Sequence, residues 1–463
     1  MFFRQYYLGC LSHASYLIGD ERSGRAVVVD PQRDVSQYLD DAHDYGLKIE
    51  RVIETHFHAD FVSGHLELRD LTGATISYGP GAFAEYEIDS LAHRQRLSLG
   101  EVDLEIRHTP GHTPESICIV VREHADDKSP YGVLTGDTLF IGDVGRPDLL
   151  ASNGVSAEEL GGLLYRSLRE QILTLPDETR VFPAHGAGSA CGKQLSTETT
   201  STIAEQRRTN YALAPMTEAE FIAQVTADQP AAPPYFGFNA SLNRKERDPL
   251  DEHDAPTGLD WAVVVAQQAN GAVVIDTRDH VDFAHGHLRG SLNVGLGGRF
   301  AEYCGDVVDP TTPIVLVTEP GAELEARVRL GRIGFDRVVG YVDRWPEMFT
   351  EHPADVASSS RLTAAELAGR DRAQLQIVDV RNPGETNLGV IPSARLIPIA
   401  QLTARIGELR RDIPTVVYCA GGYRSSLAAS VLEANRFADV SDLLGGFDAW
   451  VGAGGDVATR DAV

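Results

Sequence analysis

The chain has 463 residues, more than one hydrophobic core usually holds, so the sequence predicts two or three domains. Hydrophobic residues make up 43% and charged residues 23% of the chain, which excludes a disordered protein. Acidic residues (67) outnumber basic residues (41), and a net charge of −26 repels phosphate at long range. We therefore expect neither nucleic acid nor an anionic membrane as a partner.

The N-terminal residues and the cysteine content both indicate a reducing compartment. The first five residues, MFFRQ, lack a basic segment followed by an apolar one, so no secretory signal is predicted. No apolar run approaches the length of a membrane span. The cysteines are too few and too scattered for a disulfide framework: Cys10, Cys118, Cys191, Cys304 and Cys419. We expect a cytoplasmic protein.

The first half of the chain alternates short apolar runs with polar loops. Residues 26–29 are predicted to form a strand, followed by a helix over about 35–45 with Asp34 as its N-cap and Gly46 just after its end. Further strands are expected at 51–53, 102–106, 131–134 and 180–182. Each precedes a metal-type ligand by a few residues: His56, His112, Asp137 and His185. Because strand ends meet at one edge of an α/β sheet, this order predicts a site along one sheet edge.

Residues 56–60 read His-Phe-His-Ala-Asp, an HxHxD motif on the loop after a predicted strand. Imidazoles and a carboxylate at this spacing suit a divalent transition metal. Spacing alone leaves two ligand sets open. His56, His58 and His112 would suit zinc. His56, His112 and Asp137 would form a 2-His-1-carboxylate triad, which suits non-haem Fe(II) and oxygen chemistry.

The second half follows a charged, proline-containing linker within 230–258 and contains an internal repeat. Three segments of the first copy match three of the second: AVVIDTR with LQIVDVR, PIVLV with PTVVY, and GYVDRW with GGFDAW. Each copy alternates strands with helices, which is typical of parallel βαβ structure. We predict three domains, at residues 1–240, 256–352 and 358–463.

Cys419 lies in the segment CAGGYRSS, directly after a predicted strand and at the start of a predicted helix. Backbone N–H groups and the positive helix end at such a junction stabilise a thiolate, a persulfide or a sulfur oxyanion. Arg424 can add positive charge or brace this loop. In the first copy Thr318 takes the place of the cysteine, and its hydroxyl cannot carry sulfane sulfur. We expect that copy to be degenerate, with a structural role.

The segments THFHADFVSGH, TPGHTPES, GDTLFIGDVGRPD and FPAHGAGSACGK together resemble the metallo-β-lactamase superfamily over residues 1 to about 240. Within that superfamily they resemble the persulfide dioxygenases, a mononuclear iron branch. Dinuclear hydrolases of the superfamily carry HxHxDH, whereas this chain has Phe61 at the last position, which favours a single metal. The resemblance implies His56, His112 and Asp137 as the iron ligands.

The same resemblance implies roles for the surrounding residues. His58, Asp60 and His185 are expected to orient the ligands or to hydrogen-bond the substrate. Arg146 is expected near the polar tail of the substrate thiol, with an ordinary surface ion pair as the alternative. The residues around Cys191, rather than the resemblance, give a further expectation: small neighbours leave its thiol exposed and Lys193 favours the thiolate, so that it could receive a persulfide, with inert packing as the alternative.

The loop CxxGxRS, with VDVR before it and GGFDAW after it, resembles the rhodanese sulfurtransferases over about 358–463. The whole chain resembles persulfide dioxygenase–rhodanese fusions. This implies an α/β fold class: an αββα metallo-β-lactamase-like sandwich followed by two doubly wound rhodanese-like domains. It also implies a homo-oligomer.

The resemblance further implies an enzyme with two activities. One Fe(II) per chain would oxidise a low-molecular-weight thiol persulfide with O₂ to sulfite. Cys419, assisted by Arg424, would transfer sulfur either to sulfite, giving thiosulfate, or from thiosulfate to a thiol. Two alternatives compete: a zinc thioester hydrolase of the glyoxalase II type, against which Phe61 argues, and a non-catalytic sulfur carrier or sensor.

Overall fold

The computed structural model describes residues 1–149 and 154–460. These residues divide into two compact units. The first comprises Met1–Gln229 and Phe236–Asp251, and the second comprises Pro230–Tyr235 and the chain from Glu252 onward. None of the described helices is both long and apolar enough to cross a membrane. The three domain boundaries stay a prediction.

The first unit contains two six-stranded sheets. The strands of the first sheet are neighbours in chain order: β1 (Phe2–Leu8), β2 (His13–Asp20), β3 (Arg25–Val29), β4 (Lys48–Ile53), β5 (Thr75–Tyr78) and β6 (Asp89–Ser90). The strands of the second sheet are also neighbours in chain order: β7 (Arg96–Ser98), β8 (Asp103–His108), β9 (Ile117–Arg122), β10 (Gly132–Gly136), β11 (Arg180–Pro183) and β12 (Ser201–Thr202).

Helices cover the outer faces of both sheets. They are α1 (Ser36–Asp44), α2 (His65–Thr72), α3 (Ala157–Ser167), α4 (Ile203–Thr209), α5 (Glu218–Thr226) and α6 (Phe236–Leu242). Ile18 of β2 and Leu104 of β8 share the apolar core between the sheets. Tyr38 of α1 packs on the first sheet, and Leu164 of α3 with Phe221 of α5 packs on the second. The predicted αββα sandwich is confirmed.

The first helix begins slightly later than predicted. It starts at Ser36, with Val35 as its N-cap and no side chain capping it. Asp34 is therefore not the N-cap, because its carboxylate accepts a hydrogen bond from the Gln32 side-chain amide at 3.1 Å instead. Gly46 follows the helix with a φ of +63°, as predicted for a glycine terminator.

The strands that precede the metal-type ligands belong to two sheets. β4 lies in the first sheet, whereas β8, β10 and β11 lie in the second. The prediction of a site along the edge of one sheet was therefore wrong. The alternation of apolar runs and polar loops locates each strand end, but it does not reveal which layer of a sandwich a strand joins.

The second unit contains two five-stranded parallel sheets. The strands of the first, in spatial order, are β13 (Gly258–Leu259), β18 (Val338–Val342), β17 (Ile314–Val317), β14 (Val273–Asp276) and β16 (Leu292–Asn293). Those of the second are β20 (Ser360–Leu362), β24 (Val440–Leu443), β23 (Thr415–Tyr418), β21 (Gln376–Asp379) and β22 (Arg395–Leu396). A further small sheet pairs β15 (His287–Leu288) with β19 (Val356–Ala357).

The helices of the second unit lie between these strands in sequence: α7 (Trp261–Ala269), α8 (His280–His285), α9 (Phe300–Val307), α10 (Glu323–Gly331), α11 (Trp345–Glu351), α12 (Ala364–Ala368), α13 (Pro383–Thr386), α14 (Ile399–Arg405), α15 (Tyr423–Ala434) and α16 (Gly446–Gly452). Both five-stranded sheets have the same strand order. Each also buries an aspartate–arginine ion pair, Asp276–Arg278 at 2.6 Å and Asp379–Arg381 at 2.7 Å. The internal repeat is therefore confirmed in the fold.

Candidate functional site

Three buried side chains from the ends of three strands converge in the first unit. His56 follows β4, His112 follows β8 and Asp137 follows β10. Their ligand atoms all lie within 4.8 Å of one another. Oδ2 of Asp137 is 3.8 Å from Nε2 of His56 and 3.4 Å from Nε2 of His112. This is one of the two ligand sets that the sequence left open.

Hydrogen bonds behind both imidazoles fix their orientation. Nδ1 of His112 donates to the backbone carbonyl of Arg146 at 2.9 Å, because a carbonyl can only accept. The Thr55 hydroxyl donates to Asp30 at 2.9 Å, so its oxygen accepts from Nδ1 of His56 at 3.0 Å. With Nδ1 of each ring engaged in this way, Nε2 is the nitrogen that a metal could use, and Nε2 of both rings faces Asp137.

The Asp137 carboxylate completes the donor set. Its Oδ1 accepts from Nδ1 of His185 at 2.8 Å, whereas its buried Oδ2 has no hydrogen-bond partner among the described residues. Burial, with the nearby His58 and His112, holds the pKa of His56 well below its ordinary value. A buried acceptor oxygen that faces two imidazole lone pairs is unfavourable unless a cation lies between them. The residues therefore fit a divalent metal.

His185 bridges two carboxylates beside this donor set. Its Nε2 lies 2.7 Å from Oδ2 of Asp60, and its Nδ1 contacts Asp137. Burial acts to lower the pKa of His185, but Asp137 and Asp60 raise it well above its ordinary value. Both ring nitrogens of His185 therefore lie close to a carboxylate, Nδ1 to Asp137 and Nε2 to Asp60.

His58 and Phe61 belong to the loop between β4 and α2, which also contains His56. Nε2 of His58 is 3.1 Å from Oδ1 of Asp30 and 3.6 Å from Oε2 of Glu54. The fully buried ring of Phe61 packs on His13 and His58, with ring centroids 4.0 and 4.3 Å apart. An apolar ring therefore occupies the position where the dinuclear pattern has a histidine.

Cys191 differs from its expected state. The side chain is buried, and burial together with Asp60 and Asp137 raises the pKa of its thiol well above the ordinary value. The Lys193 ammonium lies elsewhere, donating to backbone carbonyls of Gln224 and Ala227. The prediction of an exposed thiol with a lysine-stabilised thiolate was therefore wrong, although the thiol lies within 4.8 Å of ligand atoms of Asp137 and His185.

Arg146 is not a surface residue. Its side chain is only 4% exposed, and its guanidinium binds both oxygens of Asp148 at 2.7 Å. A third contact joins the guanidinium to the carbonyl of Ala190 at 3.2 Å. The alternative of an ordinary surface ion pair was therefore wrong. The backbone carbonyl of Arg146, which no sequence pattern reveals, is what orients His112.

Asp30 and Thr55 are functional residues that the sequence interpretation missed. Asp30 directly follows β3, and Thr55 lies just beyond β4. His56 was located because it is a polar residue just after a strand, and the same criterion would have found Asp30 and Thr55. Their chain of hydrogen bonds from Asp30 through Thr55 to His56 is the kind of outer support that fixes a metal ligand.

Replacing Thr55 by valine is expected to weaken metal binding about 10- to 100-fold, because outer partners of ligands typically contribute this much. Valine keeps the shape of threonine but leaves Nδ1 of His56 and Oδ2 of Asp30 without their shared hydroxyl. Competition with a chelator of known affinity measures the change. Thr179→Val is the control, because Thr179 is also buried and its hydroxyl has no partner in the described part of the chain. Equal affinity in both variants would contradict the role of Thr55.

A second candidate site surrounds Cys419 at the end of β23. The side chain is buried, and its Sγ accepts a hydrogen bond from the backbone N–H of Gly422 at 3.1 Å. Gly422, with a φ of +113°, is the N-cap of α15, so the thiol lies at the positive end of a twelve-residue helix. Oγ of Ser425 lies 3.7 Å from the sulfur.

Arg424 braces this loop. Its guanidinium binds both carboxylate oxygens of Glu385, at 2.7 and 2.6 Å, and Glu385 belongs to α13. Of the two roles that the sequence allowed, the structure shows the bracing one. In the first repeat the corresponding position after β17 is Thr318, which is buried and has no sulfur to transfer.

Comparisons with known proteins match both regions. The metallo-beta-lactamase superfamily model matches residues 8–185, and the rhodanese-like domain model matches residues 262–344 and 363–453. The mitochondrial persulfide dioxygenases ETHE1 of Bos taurus and Homo sapiens are each 32% identical to the chain over 202 residues, covering 42% of this chain and 69% of theirs.

A solved structure spans a larger part of the chain. A metallo-beta-lactamase from Staphylococcus aureus subsp. aureus COL has a TM-score of 0.67 and 32% sequence identity, covering 73% of this chain and 98% of that one. The metal-type donor set and the cysteine loop lie in the two regions that the family models match. The chain therefore belongs to the metallo-β-lactamase superfamily, as a homologue of the persulfide dioxygenases that also carries two rhodanese-like repeats.

Proposed function

We propose that the first unit is a persulfide dioxygenase with one Fe(II) per chain, held by His56, His112 and Asp137. The observation that carries this proposal is the buried Oδ2 of Asp137, which faces Nε2 of both histidines and has no hydrogen-bond partner within residues 1–149 and 154–460. Two imidazoles and one carboxylate suit non-haem Fe(II), which when bound supplies open positions for O₂ and for the persulfide sulfur. The persulfide dioxygenases among the relatives support the proposed activity.

The proposed reaction converts a thiol persulfide, O₂ and water into the thiol, sulfite and two protons. Both oxygen atoms of O₂ and the water oxygen end in sulfite, and the S–S bond of the persulfide breaks. His185, held between Asp60 and Asp137, keeps the carboxylate of Asp137 oriented towards the histidines. Water loses its protons in this reaction. Beside the ligands, His58 lies close to Asp30 and Glu54, and the three side chains form a buried polar group.

Two further residues are proposed to contact the persulfide. Arg146, fixed by Asp148, is assigned to the polar tail of the carrier thiol. Cys191 is assigned to the terminal sulfur, because its thiol lies beside Asp137 and His185. Burial, together with the nearby Asp60 and Asp137, raises the pKa of this thiol.

We propose that Cys419 performs sulfur transfer. Its thiolate attacks the outer sulfur of thiosulfate, the S–S bond breaks, and sulfite leaves with the electron pair of that bond. The cysteine persulfide then passes its sulfur to a thiol. In the opposite direction, sulfite from the first unit takes the sulfur and leaves as thiosulfate. The N–H of Gly422 and the start of α15 favour the negative sulfur in both directions.

The remaining assignments follow from these two activities. We propose three functional domains at 1–240, 256–352 and 358–463, with the middle one lacking sulfur transfer. We propose a cytoplasmic location, since none of the five cysteines, which all lie in the described part of the chain, forms a disulfide. We also propose a homo-oligomer, with a low-molecular-weight persulfide, O₂, sulfite and thiosulfate as the reactants.

Metal substitution tests the proposal. Protein freed of metal is loaded with Fe(II) or with Zn(II) under anaerobic conditions, and the metal content of each chain is measured. We expect one iron per chain and oxygen uptake with a glutathione persulfide for the iron form alone. Hydrolysis of a glutathione thioester by the zinc form, with an inactive iron form, would instead show a hydrolase. Binding of persulfide without turnover in either form would show a carrier or sensor.

A further inference from the structure

The helix that begins at the Cys419 loop is bound along one face by the first repeat. Three side chains of α15, at positions 423, 426 and 430, share this face because helical residues three and four apart are neighbours. The Tyr423 hydroxyl donates to the carbonyl of Gly295. Oγ of Ser426 donates to Oδ1 of Asn293 at 2.8 Å, and the N–H of Asn293 donates to Oγ of Ser430 at 3.0 Å.

Asn293 is the centre of this contact. It is the last residue of β16 and is only 3% exposed. Its side-chain amide donates to the carbonyls of Asp276 and Arg278, at 3.3 and 3.1 Å, which fixes the amide on the first repeat. The carbonyl oxygen of the same amide is thereby directed at Ser426. One rigid side chain therefore joins the end of a strand in the first repeat to the first turns of α15.

The contact lies next to the groups that touch the thiol. Gly422, whose N–H donates to Sγ of Cys419, directly precedes Tyr423. Ser425, whose Oγ lies 3.7 Å from the sulfur, directly precedes Ser426. The first turn of α15 thus contains Ser425, which lies close to the sulfur, and also Tyr423 and Ser426, which are bound by the first repeat. A shift of this turn would move both sets together.

We infer that the first repeat, in which Thr318 takes the place of the loop cysteine, positions the Cys419 loop for sulfur transfer through Asn293. Asn293 is a positioning residue that acts through Ser426 and Ser430, and it does not touch the reacting sulfur. The inference rests on the proposed sulfur transfer by Cys419. It gives the degenerate repeat a specific role in the reaction of its neighbour.

A double-mutant cycle on the full chain tests this inference. Sulfur transfer from thiosulfate to cyanide is measured for the unaltered protein, Asn293→Ala, Ser426→Ala and the double variant. We expect Ser426→Ala to lower kcat about fivefold, the effect of one ordinary hydrogen bond, with KM for thiosulfate unchanged. Asn293→Ala should lower kcat at least as much. The double variant should be no slower than Asn293→Ala, because both changes remove the same contact.

Two controls separate positioning from general damage. Asn435→Ala removes the side chain directly after the end of α15, whose amide donates to the carbonyl of Val431 in that helix at 2.8 Å, and kcat of this variant should be unchanged. Oxygen uptake with persulfide should be unchanged in all variants, since the metal ligands lie in the first unit.

Three outcomes would overturn the inference. A kcat equal to that of the unaltered protein in Asn293→Ala and Ser426→Ala would show that the contact does not affect the loop. Effects that multiply in the double variant would show that the two residues act independently. Absence of any difference between the unaltered protein and Cys419→Ser would overturn the proposed sulfur transfer itself, and the inference with it.

Discussion

Replacing His112 by alanine is expected to lower persulfide-dependent oxygen uptake by more than about 100-fold, because loss of an outer partner of a metal ligand alone costs about 10- to 100-fold. The change removes one of the two Nε2 atoms that face Asp137, and it leaves the donor set incomplete. Sulfur transfer should continue at its original rate, since Cys419 belongs to the other unit. An oxygen electrode, with Fe(II) supplied at a fixed ratio to protein, measures the first effect.

His124→Ala is the matched control for this variant, because the His124 side chain is 56% exposed and its ring lies 3.9 Å from Glu101, which is not part of the donor set. We expect its oxygen uptake to equal that of the unaltered protein. Full oxygen uptake in His112→Ala, or loss of both activities in a protein that keeps its fold, would contradict the assignment of His112 to a separate iron site.

Replacing Cys419 by serine is expected to abolish sulfur transfer and to change the products formed from persulfide. A serine oxygen in the same position cannot hold sulfane sulfur, although it can still accept the N–H of Gly422. Sulfite should accumulate and thiosulfate should fall to the level formed without enzyme. Separation of the sulfur oxyanions by ion chromatography during oxygen uptake measures both products.

Cys304→Ala is the control, because Cys304 is another fully buried cysteine of the same unit. It should form sulfite and thiosulfate in the same ratio as the unaltered protein. Continued thiosulfate formation by Cys419→Ser would show that another group carries the sulfur, and Cys191 would then be the first residue to replace.

The sequence predicted those parts of the two sites that depend on local order. His56, His112 and Asp137 each follow a strand, and strand ends can be located from short apolar runs. Cys419 was found in the same way, because a glycine-containing loop between a strand and a helix has a recognisable sequence. The αββα order and the two repeats were predicted from the resemblance and from the repeated segments.

The parts that the sequence could not predict depend on contacts between distant segments. Cys191 lies among small residues that predict exposure, yet its segment folds inward because the N–H groups of Lys193 and Gln194 both donate to Asp143. The orientation of His112 depends on a backbone carbonyl, at Arg146, that any residue could provide.

The contact between the repeats is a similar case. Ser426 and Asn293 are 133 residues apart in the chain, and neither belongs to a motif that predicts their hydrogen bond. Likewise, the sheet to which β4 belongs is decided by which strands it pairs with, β3 and β5, and the sequence around it does not contain that information.

We propose that the first unit oxidises a persulfide with O₂ at an iron held by His56, His112 and Asp137. The most direct test is oxygen consumption by iron-loaded protein after addition of glutathione persulfide, with sulfite and thiosulfate quantified. We predict that one O₂ is consumed for each persulfide oxidised and that sulfur oxyanions are released. No oxygen uptake from protein shown to contain iron, together with thioester hydrolysis by the zinc form, would contradict this claim.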